Sequence, residues 1–178
     1  MKLRRHVALV GLPGAGKTCV GNALAARLAC GFADSDEEVE RVTGATVSGI
    51  FASGGEVAFR SLEREAIERL IGSEPGVIAL GGGAFQAASA RQRLLQHALV
   101  IWLDVPEAVL VERLRRSGGR PLLTGGDLRA RLHTLSEERL AHYAQAHAKV
   151  AAFTSAIMTE KILSLLAQSD MAAVRAIR

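Results

Sequence analysis

The sequence predicts a single α/β domain in which a parallel sheet is covered by helices on both faces. Three observations predict it. Short apolar runs alternate with helical patterns from one end of the 178-residue chain to the other, as a parallel sheet with crossover helices requires. The runs "HVALV", "GVIAL" and "ALVIWLDV" are nearly unbroken in apolar character, the mark of strands buried on both faces. And "GLPGAGKT", Gly11 to Thr18, leaves the first run and opens the first helix, matching the phosphate-loop pattern G-x-x-x-x-G-K-[ST]. No internal repeat, low-complexity tract or linker divides the chain.

Taken in order, "HVALVG" is a short strand, and "KTCVGNALAARLAC" is a helix with Val20, Leu24 and Leu28 on one face at i, i+4, i+8. "GFADSD" is a brief extended piece, and "EEVERVTG" a short helix stopped by Gly44. A further helix is expected from about Glu56 to Ile71, set off by Gly54 and Gly55 before it. "GVIALGGG" is a buried strand entering a glycine run, and "ALVIWLDV" another buried strand. "PEAVLVERLRR" is a helix with Pro106 at its first position, where the missing N–H costs nothing. "SGGRPLLTGG" is a loop, a helix runs from about Asp127 to Ala146, "KVAAF" is the last strand and "IMTEKILSLLAQ" the last helix.

Composition narrows the function classes. Apolar residues at 49% and charged residues at 22% describe an ordinary globular protein with enough chain to bury a core. Aromatics at 4% leave little for stacking on bases, which counts against a single-strand nucleic-acid binder. The net charge of +4 suits small anions as readily as a polyanion. Cys19 and Cys30 stand about 16 Å apart along a helix, too far for a disulfide, and form no metal motif. The basic start followed by "HVALV" imitates a leader, but its apolar run is shorter than the roughly 7–15 residues a leader needs. No stretch approaches the ~18 apolar residues of a membrane span. The expectation is a cytoplasmic protein with reduced thiols.

The chemistry concentrates in a few motifs. In the phosphate loop, Gly11, Gly14 and Gly16 let backbone N–H groups turn inward around an anion. Lys17 adds charge near the β- and γ-phosphates and Thr18 a hydroxyl for Mg²⁺. In "DSD", alternation along a strand would put Asp34 and Asp36 on one side, one to help hold Mg²⁺ through water and the other to take a hydroxyl proton. The alternative is an acidic turn or a cap for the helix that follows. Arg60 and Glu63 share a helix face with Glu56, which by itself reads as a surface ion-pair ladder. The glycines at 81–83 are either a tight turn or a place where a ligand meets exposed N–H groups. Arg113, Arg115, Arg116 and Arg120 surround a glycine pair, as in a closing loop that neutralises phosphoryl charge, or in a solvated basic loop. Arg139 and Tyr143 lie at i, i+4, and the five histidines have no ligand spacing.

These pieces in this order, "GLPGAGKT", "DSD", "IFASGGEVAFRSLE", "LGGGA", "RPLL" and "ERLAHY", resemble the shikimate kinase family over nearly the whole chain. The most specific part is "GExxFRxxE" followed by "GGGA" and "RPLL". The resemblance implies the phosphate-loop kinase fold, a three-layer α/β/α sandwich on a five-stranded parallel sheet of order 2-3-1-4-5 with a short lid. It implies a domain over residues 1–170, a substrate-binding region at about 34–63, a lid at about 116–126, and a tail at 171–178.

It also implies roles. Gly11, Gly14, Ala15, Gly16, Lys17 and Thr18 would bind ATP together with Arg116, stacking on adenine, and Arg120, the lid arginine that reaches the transferred phosphate. Thr18 and, through water, Asp34 would hold Mg²⁺. Asp36 would bind the acceptor hydroxyls and act as base or orienter, and Lys17, Asp36 and Arg120 would be the catalytic set. Arg60 and Arg139 would clamp the shikimate carboxylate, which suits a planar guanidinium. Glu63 and the backbone of Gly81, Gly82 and Gly83 would complete the substrate site. The expected activity is transfer of the ATP γ-phosphate to the 3-hydroxyl of shikimate by a monomer with no nucleic-acid or membrane partner. A kinase of another hydroxy acid such as gluconate, or a non-catalytic nucleotide-binding module, are the alternatives.

Overall fold

The computed structural model describes residues 3–116 and 127–175, with side chains as far as residue 168. Strands β1 (His6–Val10), β2 (Phe32–Asp34), β3 (Val77–Ala79), β4 (Ala98–Asp104) and β5 (Ala148–Ala151) form one parallel sheet in the order β2-β3-β1-β4-β5. The helices are α1 (Lys17–Leu28), α2 (Ser35–Thr43), α3 (Val47–Ile71), α4 (Ala88–His97), α5 (Glu107–Arg116), α6 (Leu128–Tyr143) and α7 (Ser155–Arg175). Parallel neighbours must be reached by crossovers, and the helices provide them on both faces.

Strand alternation divides the core into two layers. On one face Val7 and Leu9 of β1 and Leu99, Ile101 and Leu103 of β4 pack with Val20, Leu24 and Leu28 of α1 and Met158 and Ile162 of α7. On the other, Ala8 and Val10, then Val100 and Trp102, meet Ile67 and Leu70 of α3 and Leu94 of α4. Each fully buried Leu or Ile here contributes about 1.5–3 kcal/mol over leaving it in water. A third, smaller cluster of Val39, Ile50, Phe59 and Ala66, with Phe51 against Phe59 at 4.7 Å between ring centres, holds α2 against α3. That cluster makes residues 34–63 a platform beside the sheet rather than a loop.

Three elements differ from expectation. Helix α4 lies where no helix was expected, because "ASARQRLLQH" has only Ala90 and Leu94 to bury and so carries little periodicity. Helix α3 starts nine residues early, at Val47, and is interrupted rather than begun at the glycines, with a kink at Gly55 (φ 68°). Thr46 caps the extra turns through its hydroxyl, which accepts the Gly49 N–H. Helix α7 continues past residue 170 to Arg175. Among the described residues, no helix is long and apolar enough to cross a membrane.

Candidate active site

The site is assembled at the carboxyl ends of β1, β2 and β3, where open parallel sheets leave a crevice. After β1 the chain turns through left-handed backbone at Gly14 (φ 82°) and Gly16 (φ 90°), which a side chain would strain. Gly16 is the N-cap of α1 and supplies no side-chain oxygen, so the first-turn N–H groups of that helix stay available to an anion. Lys17, only 8% exposed, donates from Nζ to the carbonyls of Gly11 at 2.9 Å and Leu12 at 3.4 Å. Its charge is thereby held at the loop rather than in solvent.

Asp34 and Asp36 do not lie on one side of a strand, as alternation along an extended chain would have placed them. Strand β2 stops at Asp34, and Asp36 stands in the first turn of α2. The reason is capping. Asp34 Oδ1 accepts the Asp36 N–H at 3.0 Å, and an acidic first turn of Asp36, Glu37 and Glu38 complements the helix dipole. The other oxygen, Oδ2, accepts the Thr18 hydroxyl at 3.0 Å. Asp34 is thus both a helix cap and a carboxylate bonded to the phosphate loop through Thr18, while Asp36 turns to the glycine run.

That run is where the remaining residues meet. A Cβ on Gly81 would collide with Asp36 Oδ1 and lie 2.8 Å from Glu63 Oε1, and one on Gly83 would collide with the Arg60 guanidinium. A Cβ on Gly82 would lie 3.1 Å from Arg139 Nη1 and 3.9 Å from Pro13 Cγ of the phosphate loop. So Asp36, Arg60, Glu63 and Arg139, from three helices, converge on one bare stretch of backbone next to the loop. Arg139 Nη1 donates to the Gly82 carbonyl at 2.5 Å, and the Tyr143 hydroxyl to the same oxygen at 3.3 Å. Gly81→Ala should therefore raise the KM for the acceptor by about tenfold or more through the displaced carboxylates, with a smaller change for ATP. Equal acceptor KM values in steady-state assays of the two proteins would refute it.

The surface-ladder reading of Arg60 holds on one side only. Its bond to Glu56 at 3.0 Å involves a carboxylate 66% exposed, whereas its bond to Glu63 at 2.7 Å reaches one only 4% exposed. Burial pushes the Glu63 carboxyl up and the Asp36 charge adds to this, with Arg60 and Arg139 pulling the other way without prevailing. A folded pKa above the unfolded value means the folded state binds the proton more tightly. The resulting stability is present below the ordinary carboxylate range and is lost as pH rises through the folded value. The stability difference between the wild type and Glu63→Gln should therefore fall between about pH 4 and about pH 7. Urea midpoints at the two pH values measure it, and a rising difference would show that the arginines dominate.

Several contributors carry no local sequence signal. Ser35, fully buried between the two aspartates, accepts the Gly81 N–H at 2.8 Å and ties the start of α2 to the glycine run. His142, to which spacing assigned nothing, bonds Gln86 from the same turn of α6 as Arg139. Of the α5 arginines, Arg116 is exposed and pairs with Glu112 at 2.8 Å, while Arg113 turns onto the phosphate loop. Arg120 and the expected lid beyond Arg116 lie outside the described residues.

The chain is similar over most of its length to known proteins of one family. A family model described as "Shikimate kinase" matches residues 13–168. The chain is 45% identical to the shikimate kinase of Thermobifida fusca over 97% of its own length and 99% of that protein, and 43% identical to that of Zymomonas mobilis over 80% and 81%. Among solved structures it superposes on the shikimate kinase from Acinetobacter baumannii in complex with shikimate with a TM-score of 0.87 at 38% identity, covering 93% of this chain and 94% of that one.

Proposed function

The chain belongs to the shikimate kinase family, and on that premise we propose that it phosphorylates the 3-hydroxyl of shikimate from ATP through the residues gathered on Gly81–Gly83 and the phosphate loop. The observation that carries the reading is the convergence of two guanidinium groups and two carboxylates on bare backbone, within reach of Pro13 in the loop. A module that only binds nucleotide has no use for such a pocket. A cyclic hydroxy acid does: Arg60 and Arg139 take the carboxylate, and Asp36, Glu63 and the backbone of Gly81, Gly82 and Gly83 take the hydroxyls.

Transfer is direct. The 3-oxygen of shikimate forms a bond to the γ-phosphorus, the bond from that phosphorus to the bridging oxygen of ADP breaks, and the hydroxyl proton passes to Asp36, or to an oxygen of the transferred phosphate with Asp36 orienting the hydroxyl. The protein's work is positioning and charge neutralisation, by Gly11, Gly14, Ala15, Gly16 and Lys17 on the phosphates, by Arg116 at the end of α5, and by Arg120.

The hard oxygen pair of Thr18 and Asp34, 3.0 Å apart beside the loop, fits Mg²⁺, which takes one or two protein oxygens, water and phosphate. When bound, the ion neutralises charge building on the phosphates. The same reading takes the enzyme as a cytoplasmic monomer, one domain over residues 1–170, whose partners are ATP and shikimate rather than nucleic acid or membrane.

ADP release from ATP and Mg²⁺ tests the reading, with shikimate, gluconate or quinate added in turn. Stimulation by shikimate alone is expected. Stimulation by gluconate instead, or by none of them with ATP still bound, would overturn the acceptor assignment.

A further inference from the structure

We propose that Arg91 is a positioning residue for the acceptor site: from α4 it holds the far end of the glycine run and ties it to the end of α6, so that the run and Arg139 stay aimed at one ligand. The inference rests on the reading of Gly81–Gly83 as the place of the acceptor.

After β3 the chain passes through successive tight turns. The Ala84 N–H donates to Gly81 O at 3.1 Å, and the Gln86 N–H to Gly83 O at 3.0 Å. Arg139 and Tyr143 donate to Gly82 O. All three glycine carbonyls are therefore bonded within the protein, and what the run offers a ligand is N–H, which suits the oxygens of a carboxylate or a hydroxyl. Glycine has no side chain to fix its own backbone, so this arrangement has to be held from outside. At the near end Ser35 does so, accepting the Gly81 N–H at 2.8 Å.

At the far end the holder is Arg91, half-buried near the start of α4. Its Nη1 donates to Phe85 O at 3.1 Å and to Gln86 O at 2.9 Å, and its Nε to Gln145 Oε1, just past α6, at 3.0 Å. None of these partners is a carboxylate, so the guanidinium charge bears on neutral oxygens, where a charge-assisted bond is stronger than a neutral donor would make. Gln86 is fixed three times: at its carbonyl by Arg91, at its N–H by Gly83 and at its side chain by His142 of α6. Without the guanidinium, two carbonyls lose their donor beside Phe85, which is buried, and buried carbonyls need partners. Turning the Gln86 peptide to find one strains its N–H bond to Gly83 and frees that end of the run. The same loss unties Gln145, less than two helical turns beyond Arg139.

The experiment compares the wild type with Arg91→Gln, measuring kcat, the KM for shikimate and the KM for ATP, and amide hydrogen exchange over residues 81–86 in the free proteins. Arg91→Gln should raise the KM for shikimate by about tenfold, leave the KM for ATP nearly unchanged, and quicken exchange over 81–86. Arg91→Lys keeps one charged donor without the fork and should fall between the two. A residue serving general stability alone would lower the unfolding temperature and the active fraction, hence the apparent kcat, and leave each KM where it was. That pattern, or a rise in both KM values alike, would overturn the proposal. A wild type that shikimate does not stimulate would defeat the acceptor reading instead, and exchange over 81–86 would still decide this inference, since equal rates in the two proteins overturn it. If the Gln variant does not fold, Arg91→Lys is read by the same criteria, with the same pattern expected at smaller size.

Discussion

Lys17→Met should lower kcat by roughly 10³-fold or more while the protein stays folded. The methionine keeps the length and apolar stem of a side chain that is 8% exposed, so packing at the start of α1 is little disturbed. What disappears is the one positive charge held directly in the loop, by the carbonyls of Gly11 and Leu12. In phosphoryl transfer there is little covalent work for the protein, so losing a positioned charge removes a large part of the barrier lowering. Single-turnover kinetics with saturating ATP separate this from weakened binding. Substantial turnover in the variant would show that the loop does not hold the transferred phosphate.

Arg60→Ala should have the second-largest effect, with two separable parts. One is binding: losing a charge-assisted contact of about 1.5–3 kcal/mol should raise the KM for shikimate by roughly 10- to 150-fold and leave ATP nearly untouched. The other is stability. Glu63 is 4% exposed and would lose the guanidinium 2.7 Å away, leaving a buried carboxylate near Asp36 with, among the described residues, Arg139 as the charge that offsets it. The midpoint of thermal unfolding should therefore fall as well. Arg60→Lys tells the parts apart: it keeps a charge for Glu63 but not the planar two-pronged contact, so stability should recover more than affinity. An unchanged shikimate KM in Arg60→Ala would return Arg60 to the surface ladder that it forms with exposed Glu56.

The convergence on Gly81–Gly83 also explains why the glycine run and the charged helix face belong together. Each glycine lacks a Cβ where a particular side chain needs the space: Asp36 and Glu63 at Gly81, Arg139 at Gly82, and Arg60 at Gly83. The sequence shows these as separate motifs, tens of residues apart, and each taken singly has a plain structural reading.

What the sequence determined by itself was everything that local pattern and order along the chain can carry. Unbroken apolar runs between helices specify a parallel sheet buried on both faces, because only such strands have no polar side to present. The phosphate loop is equally local, since its chemistry is made by consecutive backbone groups and its own Lys17 and Thr18. The ordered set of motifs reaches the family. Tertiary structure alone decided contacts that have no periodicity. Ser35 under Gly81, His142 on Gln86 and Arg113 on the loop each join residues 46, 56 and 99 positions apart. It also decided what Asp34 and Asp36 do, because a helix cap at Asp34 outcompeted one more residue of strand and turned the two carboxylates to different tasks. A pattern read along the chain assumes one period at a time, and the site sits where the period changes.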